Sequence, residues 1–99
     1  MKFTTDFTTI NEDIRKVIAE EIKSSLNATL IMLCKYSDHP EDDYLYLYIA
    51  QKGNGTYITG LANTSRSGSV GLYENHYDCT FKYAMQVVAD KIHDCDKEV

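Results

Sequence analysis

The chain has little of what marks fibrous, disordered or membrane-spanning proteins. Its 99 residues include one proline and five glycines, and 43% of them are hydrophobic. That composition is typical of a globular protein. No stretch approaches the roughly 18 consecutive apolar residues that a membrane-spanning helix needs. A chain of this size buries only about 60 to 65% of its unfolded surface, too little for two cores, so residues 1–99 are predicted to form one domain.

Cysteine is scarce and odd in number, since only Cys34, Cys79 and Cys95 are present. The first residues, Met1 to Asp6, lack the apolar stretch of an export signal, which predicts a cytoplasmic protein. Disulfides are rare in that reducing compartment, so all three thiols are predicted to be free. Cys34 lies inside an apolar run and is predicted to be a small buried side chain.

Basic residues are few and scattered. Ten Lys and Arg stand against fifteen Asp and Glu, for a formal net charge of −5. Affinity for a nucleic-acid backbone comes from Lys and Arg that displace counterions, so direct nucleic-acid binding is not expected. The acids instead concentrate in three segments, which contain Asp38, Glu41, Asp42 and Asp43, then Glu74 and Asp78, and finally Asp90, Asp94, Asp96 and Glu98.

Motifs of catalysis are also lacking. The sequence has no Gly-x-Ser-x-Gly elbow, no P-loop and no His-Glu-x-x-His, which predicts a protein that is not an enzyme and needs no cofactor. Two pairs could supply zinc ligands, His76 with Cys79 and His93 with Cys95. If one helix separates the pairs, its ends lie roughly 21 Å apart, so no metal site is predicted within one chain. A site shared between two chains would escape this limit.

Helical periodicity occurs near both ends. Apolar residues from Ile10 to Ile22 repeat on one helical face, Thr9 and Glu12 have the spacing of a capping box, and Asn27 marks a stop. These signals predict a helix of about 15 residues. A second helix is predicted to begin near Asp78. Its apolar stripe consists of Phe81, Ala84, Met85, Val88, Ile92 and Cys95.

Strand patterns fill the middle of the chain. Segment 29–36 is apolar on both faces and therefore needs cover on both sides, whereas segment 44–51 alternates. Gly and Asn within residues 52–55 predict a hairpin turn, followed by strands at 56–61 and 69–74. The predicted fold is α+β, with a helix, an antiparallel meander of three or four strands and a second helix. Both helices are placed on one face of the sheet, which leaves the other face bare.

The alternation in segment 44–51 is unusual because one of its two rows is aromatic. Tyr44, Tyr46 and Tyr48 alternate with aliphatic residues that suit the core. Three exposed tyrosines would exceed the ~400 Å² at which an apolar patch needs an explanation. A homodimer or a partner protein is therefore expected to cover this row. The alternative is that Phe3, Phe7 and the rest of the N-terminal arm fold over it.

Together the aromatic row and the acidic loops predict a small, acidic, non-enzymatic protein-binding domain. Its carboxylates would mimic phosphates and block a basic, nucleic-acid-binding surface, as do small phage-encoded inhibitors of the anti-CRISPR and other anti-defence classes. The predicted partner-binding residues are Tyr44, Tyr46, Tyr48, Asp38, Glu41, Asp42, Asp43 and Glu74.

A second hypothesis concerns the polar segment at residues 63–69. Hydroxyl groups, backbone freedom and a cation coincide there, which would suit a phosphate group. The protein would then bind a small ligand or sequester a nucleotide. The predicted ligand-binding residues are Thr64, Ser65, Arg66, Ser67 and Ser69.

Overall fold

Two helices enclose four consecutive strands in the part of the chain that the structure, a computed structural model, describes. These residues are 11–36, 44–65 and 69–97, with side chains as far as His93. The elements are α1 (Glu12–Leu26), β1 (Ala28–Lys35), β2 (Leu45–Lys52), β3 (Tyr57–Asn63), β4 (Gly71–Cys79) and α2 (Phe81–Lys97). The strands form one antiparallel sheet in the order β1-β2-β3-β4. The predicted α+β order of helix, meander and helix is confirmed, with four strands.

Helix α1 has the predicted length but a different N-cap. The side chain of Asn11 accepts a hydrogen bond from the backbone N–H of Asp13 at 2.7 Å. Asn27 ends the helix in the left-handed conformation, with φ of 52°, and its N–H donates to the carbonyl of Lys23. Asparagine suits both ends because its short side chain caps N–H groups and tolerates positive φ. The predicted cap, Thr9, lies outside the described residues.

Strand β1 carries a bulge that distributes its apolar side chains over both faces of the sheet. The pairing with β2 shifts between Leu30 and Met32, which leaves Ile31 as an extra, exposed residue. As a result Leu30 and Leu33 belong to one hydrophobic cluster, while Met32 and Cys34 belong to another. The strand therefore has a core on each side.

The two helices pack on opposite faces of the sheet, and the prediction that both lie on one face is wrong. On one face, Tyr46 and Tyr48 of β2 share a buried cluster with Ile18 of α1. On the other face, Leu47 of β2 shares a cluster with Val88 of α2. Because the strands present apolar side chains on both sides, each face of the sheet buries its apolar side chains under its own helix.

Helix α2 begins after Thr80, whose hydroxyl accepts a hydrogen bond from the N–H three residues later at 3.1 Å. Of the predicted apolar stripe, Ala84 and Val88 are buried as expected. Phe81 and Met85, one turn apart on the same side of the helix, are exposed instead. The buried stripe of α2 is therefore narrower than predicted.

The β2–β3 hairpin confirms the turn predicted from glycine and asparagine. The N–H of Lys52 donates to the carbonyl of Thr56 at 2.9 Å, and Gly55 takes a φ of 88°. Asn54 closes the turn by accepting hydrogen bonds from the N–H and the hydroxyl of Thr56. Only Gly55 needs the conformational freedom of glycine here, since Gly53 has no positive φ.

Strand β4 is longer than predicted and irregular. It was expected at 69–74 but spans Gly71–Cys79. Its pairing with β3 shifts twice, and Glu74 and Asp78 take positive φ values of 53° and 55° in the shifted stretches. Each shift places two residues of β4 opposite one residue of β3, which breaks the alternation that identifies a strand in a sequence.

Candidate interaction surface

The predicted tyrosine row does not form an exposed surface. Tyr46 and Tyr48 are 0% exposed, and only Tyr44, before the start of β2, is 41% exposed. The prediction that all three stand free for a partner is wrong for Tyr46 and Tyr48. Helix α1 packs on the tyrosine face, so both rings belong to the protein's own core. Of the predicted row, Tyr44 alone remains accessible to a partner.

The predicted acidic residues lie partly beyond the described structure. Asp38, Glu41, Asp42 and Asp43 fall in segment 37–43, outside the described residues. Glu74 is exposed, and its carboxylate lies 3.2 Å from the Nζ of Lys91 in α2. An ion pair at the surface contributes little stability, so this carboxylate is only weakly held.

The polar segment that follows β3 is folded back on the start of β2. Thr64 donates through its N–H and its hydroxyl to the carbonyl of Tyr44, at 2.7 and 3.3 Å. The side chain of Asn63 accepts a hydrogen bond from the N–H of Ser65 at 2.8 Å. The hydroxyl of Thr64 is thus turned toward the sheet.

Beside this segment lies an open cavity of about 310 Å³. It is lined by Asn63, Ser65, Ser69, Val70, Gly71 and Tyr73. Two predicted ligand-binding residues, Ser65 and Ser69, are therefore brought together, whereas Thr64 is not part of the lining. Arg66 and Ser67 lie outside the described residues.

Exposed aromatic side chains gather instead along β4 and the first turn of α2. Tyr73, Tyr77 and Tyr83 are 37%, 56% and 51% exposed. At roughly 100 Å² for each half-exposed ring, they present on the order of 300 Å² of aromatic surface around the β4 edge, with Tyr77 on the side of Tyr48 and Tyr83 on the side of α2. Together with the exposed carboxylates between them, they form the surface named here the β4 edge surface, which consists of Tyr73, Glu74, Tyr77, Asp78 and Tyr83.

Strand β4 is an edge of the sheet, yet it is poorly shaped for pairing with another strand. The positive φ values of Glu74 and Asp78 and the two register shifts interrupt its outer row of hydrogen-bonding groups. Bulges and charged side chains are the usual protection of an edge strand. A partner at this edge would therefore be bound by side chains rather than by strand addition.

Contacts with neighbouring side chains hold two of these tyrosines in place. The ring of Tyr83 lies edge-on to His76, with 6.2 Å between the ring centroids. The hydroxyl of Tyr77 accepts a hydrogen bond from Nδ2 of Asn75 at 3.3 Å. These contacts restrict the orientation of the exposed rings of Tyr77 and Tyr83.

The hydrogen bond to Tyr77 continues into the core. The buried hydroxyl of Tyr48 donates to Oδ1 of Asn75, directly over Gly60 of the intervening strand. A Cβ on Gly60 would overlap this amide and lie 3.0 Å from the carbonyl oxygen of Tyr73. Burial, and to a lesser extent the neighbouring Tyr77, raises the pKa of Tyr48, so its hydroxyl keeps its proton and donates at neutral pH.

The two cysteines with described side chains do not have the chemistry of nucleophiles. Cys34 and Cys79 are free, as predicted, and Cys34 is buried as predicted, while Cys79 is buried as well. Burial raises the pKa of the Cys34 thiol to about 11, and burial with the nearby Asp78 raises that of Cys79. Both thiols are thus protonated at neutral pH, whereas attack requires the thiolate.

The predicted zinc candidates are divided by α2. His76 and Cys79 precede the continuous helix Phe81–Lys97, and His93 lies in its last turns. The side chain of Cys95 is outside the described part. Among the described side chains, no three His, Cys, Asp or Glu residues come together in a group that could hold a metal ion.

Within the described ranges, neither helix combines the length and apolar character required to span a bilayer. No family model, curated protein or solved structure matches the chain closely enough to indicate a relationship.

The sequence contained one signal for the β4 edge surface. Tyr83 lies off the apolar stripe of α2, and a large side chain in that position is expected to face solvent. The sequence around Tyr77 does not indicate that this residue is exposed, because the bulges of β4 interrupt the alternation typical of a strand.

Proposed function

We propose that this chain is a small, acidic, non-enzymatic protein-binding domain that acts in the cytoplasm through its β4 edge surface. Its target would be a protein with a basic, nucleic-acid-binding surface, which the domain covers as phage-encoded anti-CRISPR and other anti-defence inhibitors do. The observation that carries this proposal is the group of three half-exposed tyrosines around Glu74 and Asp78.

The chemistry of this surface suits a protein partner. Tyrosine is enriched at interfaces because its ring buries a large apolar area while its hydroxyl keeps a polar contact. The net charge of −5 favours approach to a basic protein and opposes approach to nucleic acid. Oriented rings lose little side-chain entropy on binding, which increases the affinity that a given contact area yields.

The test begins with capture of candidate partners from a bacterial lysate and their identification by mass spectrometry. Binding of the purified candidate is then measured by calorimetry at low and high salt. We expect Tyr77→Ala and Tyr83→Ala each to weaken the complex at least ~10-fold, the size of an interface hot spot. Added salt should weaken it too, and nucleic acid should compete with the domain for the partner.

Tyr44→Ala is the matched control, because Tyr44 is similarly exposed but directly precedes β2 and belongs to the tyrosine row predicted from the sequence. It should leave the affinity unchanged. Loss of binding in Tyr44→Ala with normal binding in the two β4 edge variants would place the interface elsewhere and refute the proposal. Charge reversal of Asp42 and Asp43 in the same assay tests the contribution of the acidic loop.

Self-association is a further part of this proposal. The predicted homodimer loses its original basis because Tyr46 and Tyr48 are buried. We propose that any dimer uses the β4 edge surface and therefore competes with the partner. Light scattering after size exclusion should then show dimers that Tyr77→Ala abolishes. A dimer that survives this change would contradict the assignment.

The open cavity favours a second candidate function, a small-ligand-binding or nucleotide-sequestering protein. Its volume of about 310 Å³ is at the lower limit of ordinary ligand sites, roughly 300 Å³. Its lining offers three hydroxyls, from Ser65, Ser69 and Tyr73, and the amide of Asn63. Nucleotides should then raise the melting temperature, and Ser65→Ala or Arg66→Ala should remove the shift. Absence of stabilisation by nucleotides and by inorganic phosphate would exclude this function.

A further inference from the structure

The core hydroxyl of Tyr48 is linked to the exposed ring of Tyr77 by a single side chain. Tyr48 donates to Oδ1 of Asn75, and Nδ2 of the same amide donates to Tyr77. One end of this chain is 0% exposed and the other is 56% exposed. We infer that Tyr48 is a positioning residue, whose hydroxyl fixes the orientation of Tyr77 on the β4 edge surface through Asn75.

The backbone leaves space for this link at Gly60. Gly60 is the β3 partner of Tyr48, and it lies in the stretch where the β3–β4 register shifts. Without a side chain on Gly60, the Tyr48 hydroxyl reaches across β3 to the Asn75 amide of β4. The register shift of β4 and the missing side chain of Gly60 therefore act together to allow this hydrogen bond.

The amide of Asn75 is held in a single orientation by what its two ends contact. Oδ1 of Asn75 faces inward, where it accepts the hydrogen bond from the Tyr48 hydroxyl, which keeps its proton. Its NH₂ group is then directed at Tyr77, which accepts. All buried side-chain nitrogen and oxygen atoms of the described residues have a hydrogen-bond partner, and loss of the Asn75 amide would leave the buried Tyr48 hydroxyl unsatisfied.

The functional value of this link rests on the proposed function, because an oriented Tyr77 matters only if the β4 edge surface binds a partner. An aromatic ring held in place before binding loses less conformational freedom when it is buried. Tyr48 would thus contribute to affinity without touching the partner.

Nuclear magnetic resonance tests the link without any partner. In Tyr48→Phe, we expect the side-chain amide protons of Asn75 to exchange with water at least ~5-fold faster, and the ring of Tyr77 to lose order on the fast timescale. Asn75→Asp keeps the acceptor for Tyr48 but removes the donor to Tyr77. It should therefore release Tyr77 while the core remains folded.

Tyr57→Phe is the matched control. Its hydroxyl accepts a hydrogen bond from Gln51 at 3.4 Å, on the α2 face of the sheet and outside this link. This variant should leave both Asn75 and Tyr77 unchanged. The inference is overturned if Tyr48→Phe leaves the two groups as they are, or if it loosens the whole sheet to the same extent as β4.

The captured partner supplies an independent readout. Tyr48→Phe should lower the affinity several-fold, toward the value for Tyr77→Ala. If Tyr77→Ala weakens binding and Tyr48→Phe does not, the positioning role is wrong while the proposed function stands. If neither Tyr77→Ala nor Tyr83→Ala weakens binding, the proposed function fails, and the magnetic resonance result still decides whether the link exists.

Discussion

The two faces of the sheet are equally buried but are held together differently. On the α2 face, Leu47 and Ile49 pack against helix side chains that carry no polar atoms. On the α1 face, Tyr46 and Tyr48 are just as inaccessible, yet the hydroxyl of Tyr48 must find a partner across the sheet. Stability on the α2 face should depend mainly on packed volume, although the buried hydroxyl of Thr59 there donates to the carbonyl of Tyr48. Stability on the α1 face depends on volume and on the side-chain hydrogen bond of Tyr48.

The largest expected effect is on the α2 face. Leu47→Ala should lower the free energy of unfolding by about 3 kcal/mol, because it removes a side chain that is 0% exposed and leaves a cavity. Urea denaturation measures this loss. Tyr83→Ala, at an exposed position, should stay within about 0.5 kcal/mol. A loss below about 1 kcal/mol for Leu47→Ala would show that this face is loosely packed.

The next effect tests the crowded α1 face. Gly60→Ala should cost about 2 kcal/mol, since its Cβ meets the Asn75 amide and the Tyr73 backbone. The same denaturation assay applies. Gly53→Ala is the control, because a Cβ there has nothing within 4 Å and the φ is not positive, so the change should be close to neutral. Equal effects at the two glycines would contradict the close approach over Gly60.

The local elements were largely predictable from the sequence. Helix α1 and the β2–β3 turn depend on residues that are neighbours in the chain, such as Asn27 and Gly55, and both were found where expected. The position of each helix relative to the sheet is not local. Segment 29–36 already indicated a need for cover on both faces, and that signal was the correct guide to the placement of α2.

The candidate surface was harder to predict than the fold. A period of two shows that the tyrosines of β2 share a face, but it does not show which face is covered. That depends on where α1 crosses the sheet. Tyr77 was missed for a second reason, since its exposure follows from register shifts that only the pairing of β3 with β4 defines.

A smaller expected effect is a loss of stability at alkaline pH. Burial raises the pKa of Cys34 from 9.0 to about 11. The unfolded chain therefore loses this proton first, and stability should fall as pH rises above about 9. The expected loss is about 1 kcal/mol by pH 10. Tyr48, whose pKa is also raised, adds to the same trend from the α1 face.

Cys34→Ala separates these two contributions to the pH dependence. It should reduce the decline in stability between pH 8 and pH 10, as measured by urea denaturation at each pH. The remaining decline then belongs to Tyr48 and Cys79, whose pKa values are also raised. An unchanged decline in Cys34→Ala would show that burial of this thiol does not determine the pH dependence.

The smallest expected loss of stability comes from breaking the ion pair between α2 and β4. Lys91→Ala breaks the ion pair with Glu74, and because the Glu74 side chain is 57% exposed we expect a loss of no more than about 0.5 kcal/mol. High salt should reduce even that difference, which urea denaturation at two ionic strengths would measure. Lys16→Ala, at an exposed position on α1, serves as the control for loss of a surface lysine. A loss above about 1 kcal/mol would mean that charge, as well as burial, holds α2 against the sheet.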